Sequence, residues 1–79
     1  MRWVNVHVVD DASEPVSAES VKIVIHHGGL VPDTSLEKYT DADGLAKFVF
    51  EGGPSVDVYV NGMCQLDSVG VDEEYTVPI

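Results

Sequence analysis

Thr40-Asp41-Ala42-Asp43-Gly44-Leu45-Ala46-Lys47-Phe48-Val49-Phe50 runs through Glu51-Gly52-Gly53-Pro54 into Ser55-Val56-Asp57-Val58-Tyr59-Val60-Asn61-Gly62. This stretch alternates between turn chemistry and strand chemistry, and it decides the fold. Ala46, Phe48 and Phe50 share one phase, with Leu45, Lys47 and Val49 in the other. Val56, Val58 and Val60 alternate with Asp57, Tyr59 and Asn61 in the same way. A period of two places one apolar face on a strand and leaves the other face mixed. Asp41 to Gly44 supplies carboxylates to cap a turn and a glycine for its left-handed position. Gly52-Gly53-Pro54 is incompatible with a central strand, and Asn61-Gly62 is a type I′ hairpin signal.

The same pattern extends in both directions. Val4, Val6 and Val8 alternate with Trp3, Asn5 and His7, and Val21, Ile23 and Ile25 alternate with Lys22, Val24 and His26. Weaker strands are expected at Leu36–Thr40, Leu66–Val69 and Tyr75–Ile79. Asp10–Glu19 is polar around Pro15 and reads as a connection. Ala18–Lys22 carries the one helical alternative, which its β-branched continuation opposes. Short strands with turn signals every 8–12 residues predict an all-β protein: an antiparallel β-sandwich of about seven strands, filling residues 1–79 as one domain. The expected inner faces are Val4, Val6, Val8, Val21, Ile23, Ile25, Ala46, Phe48, Phe50, Val56, Val58, Val60 and Val77.

Composition narrows the function classes. The chain has 79 residues, 4 Lys plus Arg and 14 Asp plus Glu, and a net charge of −10. Phosphate binding draws on clustered Lys and Arg, so no direct nucleic-acid binding is expected at a pI of 4.2. No apolar run approaches the roughly 20 residues of a membrane-spanning helix, and no membrane partner is expected. One cysteine, Cys64, supports neither a disulfide framework nor a four-cysteine zinc site. No signal peptide is legible. If Met1 is the natural start, a cytoplasmic location is expected.

Several segments resemble carboxypeptidase regulatory-like domains, within the transthyretin-like (prealbumin-like) β-sandwich group. Val8-Val9-Asp10, then Pro15-Val16, Val21 and Ile23, resembles the opening of that family. Thr40-Asp41-Ala42-Asp43-Gly44 with Phe48 is similar to its Thr-Asp-x-x-Gly-x-x-x-Phe motif. Gly52-Gly53-Pro54, Val56, Val58, Val60 and Gly62 resemble its Pro-Gly-x-Tyr-x-Val strand and turn, and Glu74 to Ile79 its closing strand. The departures are Ser13 at a customary turn glycine, Ala18-Glu19 in place of Gly-Ala, and Val56 in place of tyrosine. The resemblance spans the chain and implies transthyretin-like or Ig-like Greek-key connections and a non-catalytic accessory, spacer or recognition module. The wider group includes a hydroxyisourate hydrolase that works through His, Arg and a C-terminal Tyr-Arg-Gly-Ser. This chain ends Tyr75-Thr76-Val77-Pro78-Ile79 and has Arg2 as its one arginine, so no catalytic residue carries over.

The residues themselves offer a short set of sites. Asp41-x-Asp43-Gly44 invites a calcium reading, but an EF-hand register would put Tyr39 and Phe50 at ligand positions, so a capped turn is expected. His7 and His26 would approach one another if their strands paired, whereas the adjacent His26 and His27 point to opposite faces. No metal, cofactor or catalytic residue is expected. Cys64 lacks a basic neighbour in sequence to activate it and is read as a half-buried thiol. His27–Asp33 is read either as an exposed recognition loop or, the favoured reading, as a crossover between sheets whose Leu30 and Val31 cap the core.

Trp3, Val24, Leu45, Val49 and Tyr59 alternate away from the expected core, and several such residues on one face would mark a partner surface. The expected binding residues are Trp3, Val24, His26, His27, Val49 and Tyr59. The expected function is a non-catalytic binding or structural module that engages a protein partner, or a second copy as a homodimer, through a sheet face or an edge strand. Two alternatives are an acidic decoy of a basic nucleic-acid-binding protein and a carbohydrate-binding accessory module. The acids gather in connections rather than along one face, and few flat aromatics are available (Trp3, Tyr39, Tyr59, Tyr75).

Overall fold

Seven strands and no helix are present in a computed structural model that describes residues Met1–Ile79. The strands are β1 (Arg2–Val9), β2 (Ser20–His26), β3 (Thr34–Tyr39), β4 (Leu45–Phe50), β5 (Ser55–Val60), β6 (Met63–Gly70) and β7 (Glu73–Pro78). They form two sheets, one ordered β4-β1-β7 and one ordered β3-β2-β5-β6. The chain passes between sheets after β1, β3, β4 and β6, and these crossings bring strands distant in sequence together. All pairings are antiparallel except one: β7 runs parallel to β1, with Val8 opposite Val77. The sandwich is therefore not wholly antiparallel. Nothing local marks that pairing, because the first and last strands meet only when the sheet closes.

The core between the sheets holds the thirteen residues anticipated from alternation, from Val4 to Val77. Burying a Val, Ile or Phe side chain contributes about 1.5–3 kcal/mol, so this one-sided set of branched and aromatic residues dominates the stability. Edge strands are poorer. Every residue of β3 is exposed, and Leu66 and Val69 are the only residues of β6 that are even half-buried. β3 starts two residues before the expected Leu36–Thr40 and stops at Tyr39, whereas β6 extends past the expected Leu66–Val69 at both ends, since backbone pairing alone defines them. β7 begins at Glu73 and ends at Pro78, shifted from the expected Tyr75–Ile79.

The turns behave as their chemistry dictates. Asp41 Oδ1 accepts from the Asp43 and Leu45 amides at 2.9 and 3.0 Å, which gives the capped turn and holds the Asp41 carboxyl below its usual range, with the Leu45 amide the main cause. Asn61 and Gly62 have φ of 52° and 79°, as a type I′ hairpin between Val60 and its partner Met63 requires. Thr40 is the one buried polar side chain. Its hydroxyl accepts from the Glu19 amide at 2.9 Å and donates to the Val16 carbonyl at 2.6 Å, fastening the 10–19 connection to the β3–β4 corner. Ser13 and Ala18 adopt φ of 62° and 58°, a region favoured by glycine.

Residues 27–33 join β2 to β3 within one sheet, so this segment is not a crossover between sheets. Leu30 and Val31 project into solvent instead of capping the core. Strand directions place this connection, 51–54, 71–72 and the N-terminus at one end of the sandwich. The 10–19, 40–44 and 61–62 connections lie at the other.

Candidate functional site

The exposed surface offers two sheet faces and their edges. The residues expected to form one apolar face divide between both. Trp3 stands opposite Val49, and His7 opposite Leu45, on the outer face of β4-β1-β7. Val24 stands opposite Asp57, and Tyr59 opposite both Lys22 and Cys64, on the outer face of β3-β2-β5-β6. A single surface of all five is thus corrected to two surfaces on opposite sides of the core. The phase of each strand was legible, but which sheet each strand joins depends on long-range pairing.

Trp3 and Val49 make the more apolar of these surfaces, at 40% and 60% exposure. Lys47, Asn5 and Glu74 form the next row. Trp3 is displayed from firmly held backbone. Its amide donates to Asp72 Oδ1 at 3.2 Å, its carbonyl accepts from the Asp72 amide at 2.6 Å, and Arg2 Nη1 donates to Asp72 Oδ2 at 2.8 Å. Arg2 and the Trp3 amide hold the Asp72 carboxyl below its usual range, Arg2 first. The pair is solvent-exposed on both sides, so water screens it and it adds little to stability.

The opposite face is polar and centred on His26. Its Nδ1 lies 3.0 Å from Asp33 Oδ2 and its Nε2 lies 2.9 Å from Asp57 Oδ1. The Nε2–H bond points off the Asp57 oxygen, so that contact is a close ion pair rather than an aligned hydrogen bond. The two carboxylates raise the His26 pKa above its ordinary 6.5, Asp57 most and Asp33 next. Asp57 is lowered, by His26 first and then by the Ser68 amide, which donates to Oδ1 at 2.8 Å. Further along, Lys22 Nζ lies 5.1 Å from the Tyr59 ring centre, and the Tyr59 hydroxyl is raised by Cys64 first and by burial next.

His7 does not approach His26, because β1 and β2 lie in different sheets and both side chains point away from the core. His27 leaves the face altogether and sits 2.9 Å from the Thr34 hydroxyl through Nε2, beside Gly52. Cys64 is exposed rather than half-buried; its thiol donates to the Leu66 carbonyl at 3.5 Å. Asp33 and Asp57 escaped the sequence reading. Asp57 was visible only as the polar phase of a strand, and Asp33 lies in the 27–33 connection, so neither carries a local signal of a histidine partner.

No family model matches this sequence. No curated protein matches it either.

Proposed function

We propose that this domain is a non-catalytic interaction module that engages another protein, or a second copy of itself, through the outer face of the three-stranded sheet. The observation that carries this reading is the Trp3–Val49 cross-strand pair. It sets a large aromatic beside a branched aliphatic, both open to solvent, on backbone that Asp72 holds in place. Aromatic anchors on rigid backbone lose little conformational entropy on binding and dominate contact energies. The neighbouring Asn5, Lys47 and Glu74 supply the polar rim such a contact uses.

The test is sedimentation equilibrium of the whole chain over about 0.05–2 M salt, a range that spans strong to negligible charge repulsion. A homodimer that persists or tightens with salt, and dissociates in Val49→Lys, supports the reading. A dimer unchanged in Val49→Lys and Trp3→Ala would show that another surface makes the contact. A monomer at every salt removes the homodimer and leaves this face to an outside protein.

The resemblance to carboxypeptidase regulatory-like, transthyretin-like domains supports the same class of role. Its support is conformational. Ser13 and Ala18, which stand where that family is expected to place glycine, adopt the positive φ that would select glycine there. Fold alone does not assign a partner.

A further inference from the structure

We propose that His26 is a pH-responsive latch that fastens the 27–33 connection to the four-stranded sheet while its imidazole is protonated, and releases it when the ring becomes neutral. The geometry is a bridge. Asp57 belongs to β5, inside the sheet, and Asp33 closes the connection between β2 and β3. His26, the last residue of β2, reaches one with each ring nitrogen. An imidazolium carries N–H on both nitrogens, so it hydrogen-bonds Asp33 through Nδ1 and turns positive charge toward Asp57 at Nε2. A neutral imidazole carries one, so one carboxylate must then face a lone pair.

The two partners are not equivalent, and this decides which lets go. Asp57 is 13% exposed and also accepts from the Ser68 amide. Asp33 is 48% exposed and follows Gly28 and Gly29. The Nε2 atom is shielded from water. A lone pair held there against an anion costs more than one at Nδ1 beside a carboxylate free to turn to solvent. The remaining proton therefore stays on Nε2, and Asp33 departs. What it frees is a segment with two glycines and the exposed Leu30 and Val31 at its tip.

The other charged groups around the ring fix the direction. From β6, the Asp67 carboxylate stands beside Asp57. On β2 itself, Lys22 stands four residues away with its ammonium over Tyr59, and Cys64 of β6 lies beyond that ring. From β3, Glu37 accepts from the Ser20 hydroxyl, away from the ring. His27 faces Thr34 and Gly52 on the other side of the sheet. The nearest charges are all carboxylates, so the protonated form is favoured. Because the folded pKa lies above 6.5, the stabilisation is complete below that value and is lost as pH rises through the folded midpoint. At the acid end it fails as pH falls through the lowered Asp57 range.

The experiment uses the whole chain with ¹³C-labelled methyl groups. The His26 ring is titrated by NMR, and methyl order parameters of Leu30 and Val31 are measured at about pH 6 and about pH 9, either side of an ordinary imidazole midpoint. The expected result is a His26 midpoint above 6.5 and a loss of Leu30 and Val31 order that follows it. Asp33→Asn should lower the midpoint and abolish the step in order. His26→Gln should abolish the step, and His27→Gln should keep it. A midpoint at or below 6.5, order unchanged between the two pH values, or a step that persists in His26→Gln would each overturn the latch.

Discussion

Gly44 lies so close to Val8 that a Cβ added to it would stand 2.7 Å from the Val8 carbonyl oxygen, while the Val8 amide donates to the Gly44 carbonyl at 2.8 Å. The capped turn from Asp41 is therefore locked onto the end of β1 as well as onto its own strand. Pro15 and Val16 close the same spot at 3.0 and 3.1 Å. Gly44→Ala should cost at least about 2 kcal/mol, combining a left-handed alanine with a backbone clash. That corresponds to a fall of about 10 °C in Tm for a domain of this size. Gly62→Ala shares the positive φ but meets nothing within 4 Å, and should cost clearly less. Thermal melts of the two variants side by side check the difference; equal losses would mean the close approach to Val8 is unimportant.

Ala18 is the converse case. Its φ of 58° strains a residue with a Cβ, and its amide donates to the Thr40 carbonyl at 2.9 Å, which any residue except proline can do. Ala18→Gly should stabilise the fold by about 0.5–1 kcal/mol, since relief of left-handed strain exceeds the extra chain entropy of glycine. Ser13→Gly should act in the same direction. Urea denaturation midpoints measure both, and a drop in either midpoint would contradict the conformational basis of the glycine assignment.

What the sequence revealed and what it hid follow from the range of the interactions. Val4, Ile23, Phe48 and Val58 were legible because a strand against a core repeats its demand every second residue. β3 was faint because all six of its residues meet solvent, so no alternation was imposed on Thr34–Tyr39. The parallel union of β1 and β7 left no trace, being made between residues some 69 positions apart, such as Val4 and Glu73. The same limit split Trp3 and Val49 from Val24 and Tyr59, kept His7 from His26, and hid the meeting of His26 with Asp57. Each is a matter of sheet membership, which local spacing does not encode.

Phe48 tests the core directly. It is fully buried on β4, and Lys38 Nζ lies 5.9 Å from its ring centre at the open edge beside β3. Phe48→Ala should cost about 3–5 kcal/mol. A domain of this length holds only about 4–12 kcal/mol in all, so the variant should be partly unfolded at room temperature. The adjacent Val49→Ala, which removes exposed surface, should change stability by less than about 0.5 kcal/mol. Equilibrium urea curves distinguish the two, and comparable losses at both positions would refute the inward phase of β4.

Tyr75 sets an alkaline limit. Its hydroxyl lies 2.6 Å from the Gly70 carbonyl and 2.8 Å from Glu73 Oε2, so it closes the short β6–β7 connection. Burial first, and Glu73 next, push its pKa up to about 12 from 10.0. The folded value exceeds the unfolded one, so this stabilisation is whole below pH 10 and is lost as pH rises from there through about 12. A tyrosinate absorbance titration should show a late step at about 12 that is absent in Tyr75→Phe. Tyr75→Phe should flatten the decline in stability over that window, and an unchanged slope would place the alkaline limit elsewhere.

Charge is distributed unequally along the sandwich, and salt should reveal it. Asp10, Asp11, Glu14, Glu19, Asp41 and Asp43 all lie on the connections at one end, with no Lys or Arg among those segments. Two of them do structural work: Asp10 Oδ1 accepts from the Ala12 and Glu14 amides at 2.9 and 3.0 Å, as Asp41 Oδ1 does from Asp43 and Leu45. The exposed Asp11 side chain anchors no such turn. Their mutual repulsion is screened as the Debye length falls from about 10 Å at 0.1 M to about 3 Å at 1 M, so Tm should climb by several degrees between those salts. General exclusion of salt from apolar surface would also raise Tm, and Asp11→Asn separates the two causes. If repulsion is responsible, Asp11→Asn melts higher than the parent at 0.1 M and the advantage shrinks at 1 M. A constant offset at both salts would assign the salt effect to the apolar surface and leave the acidic end energetically neutral.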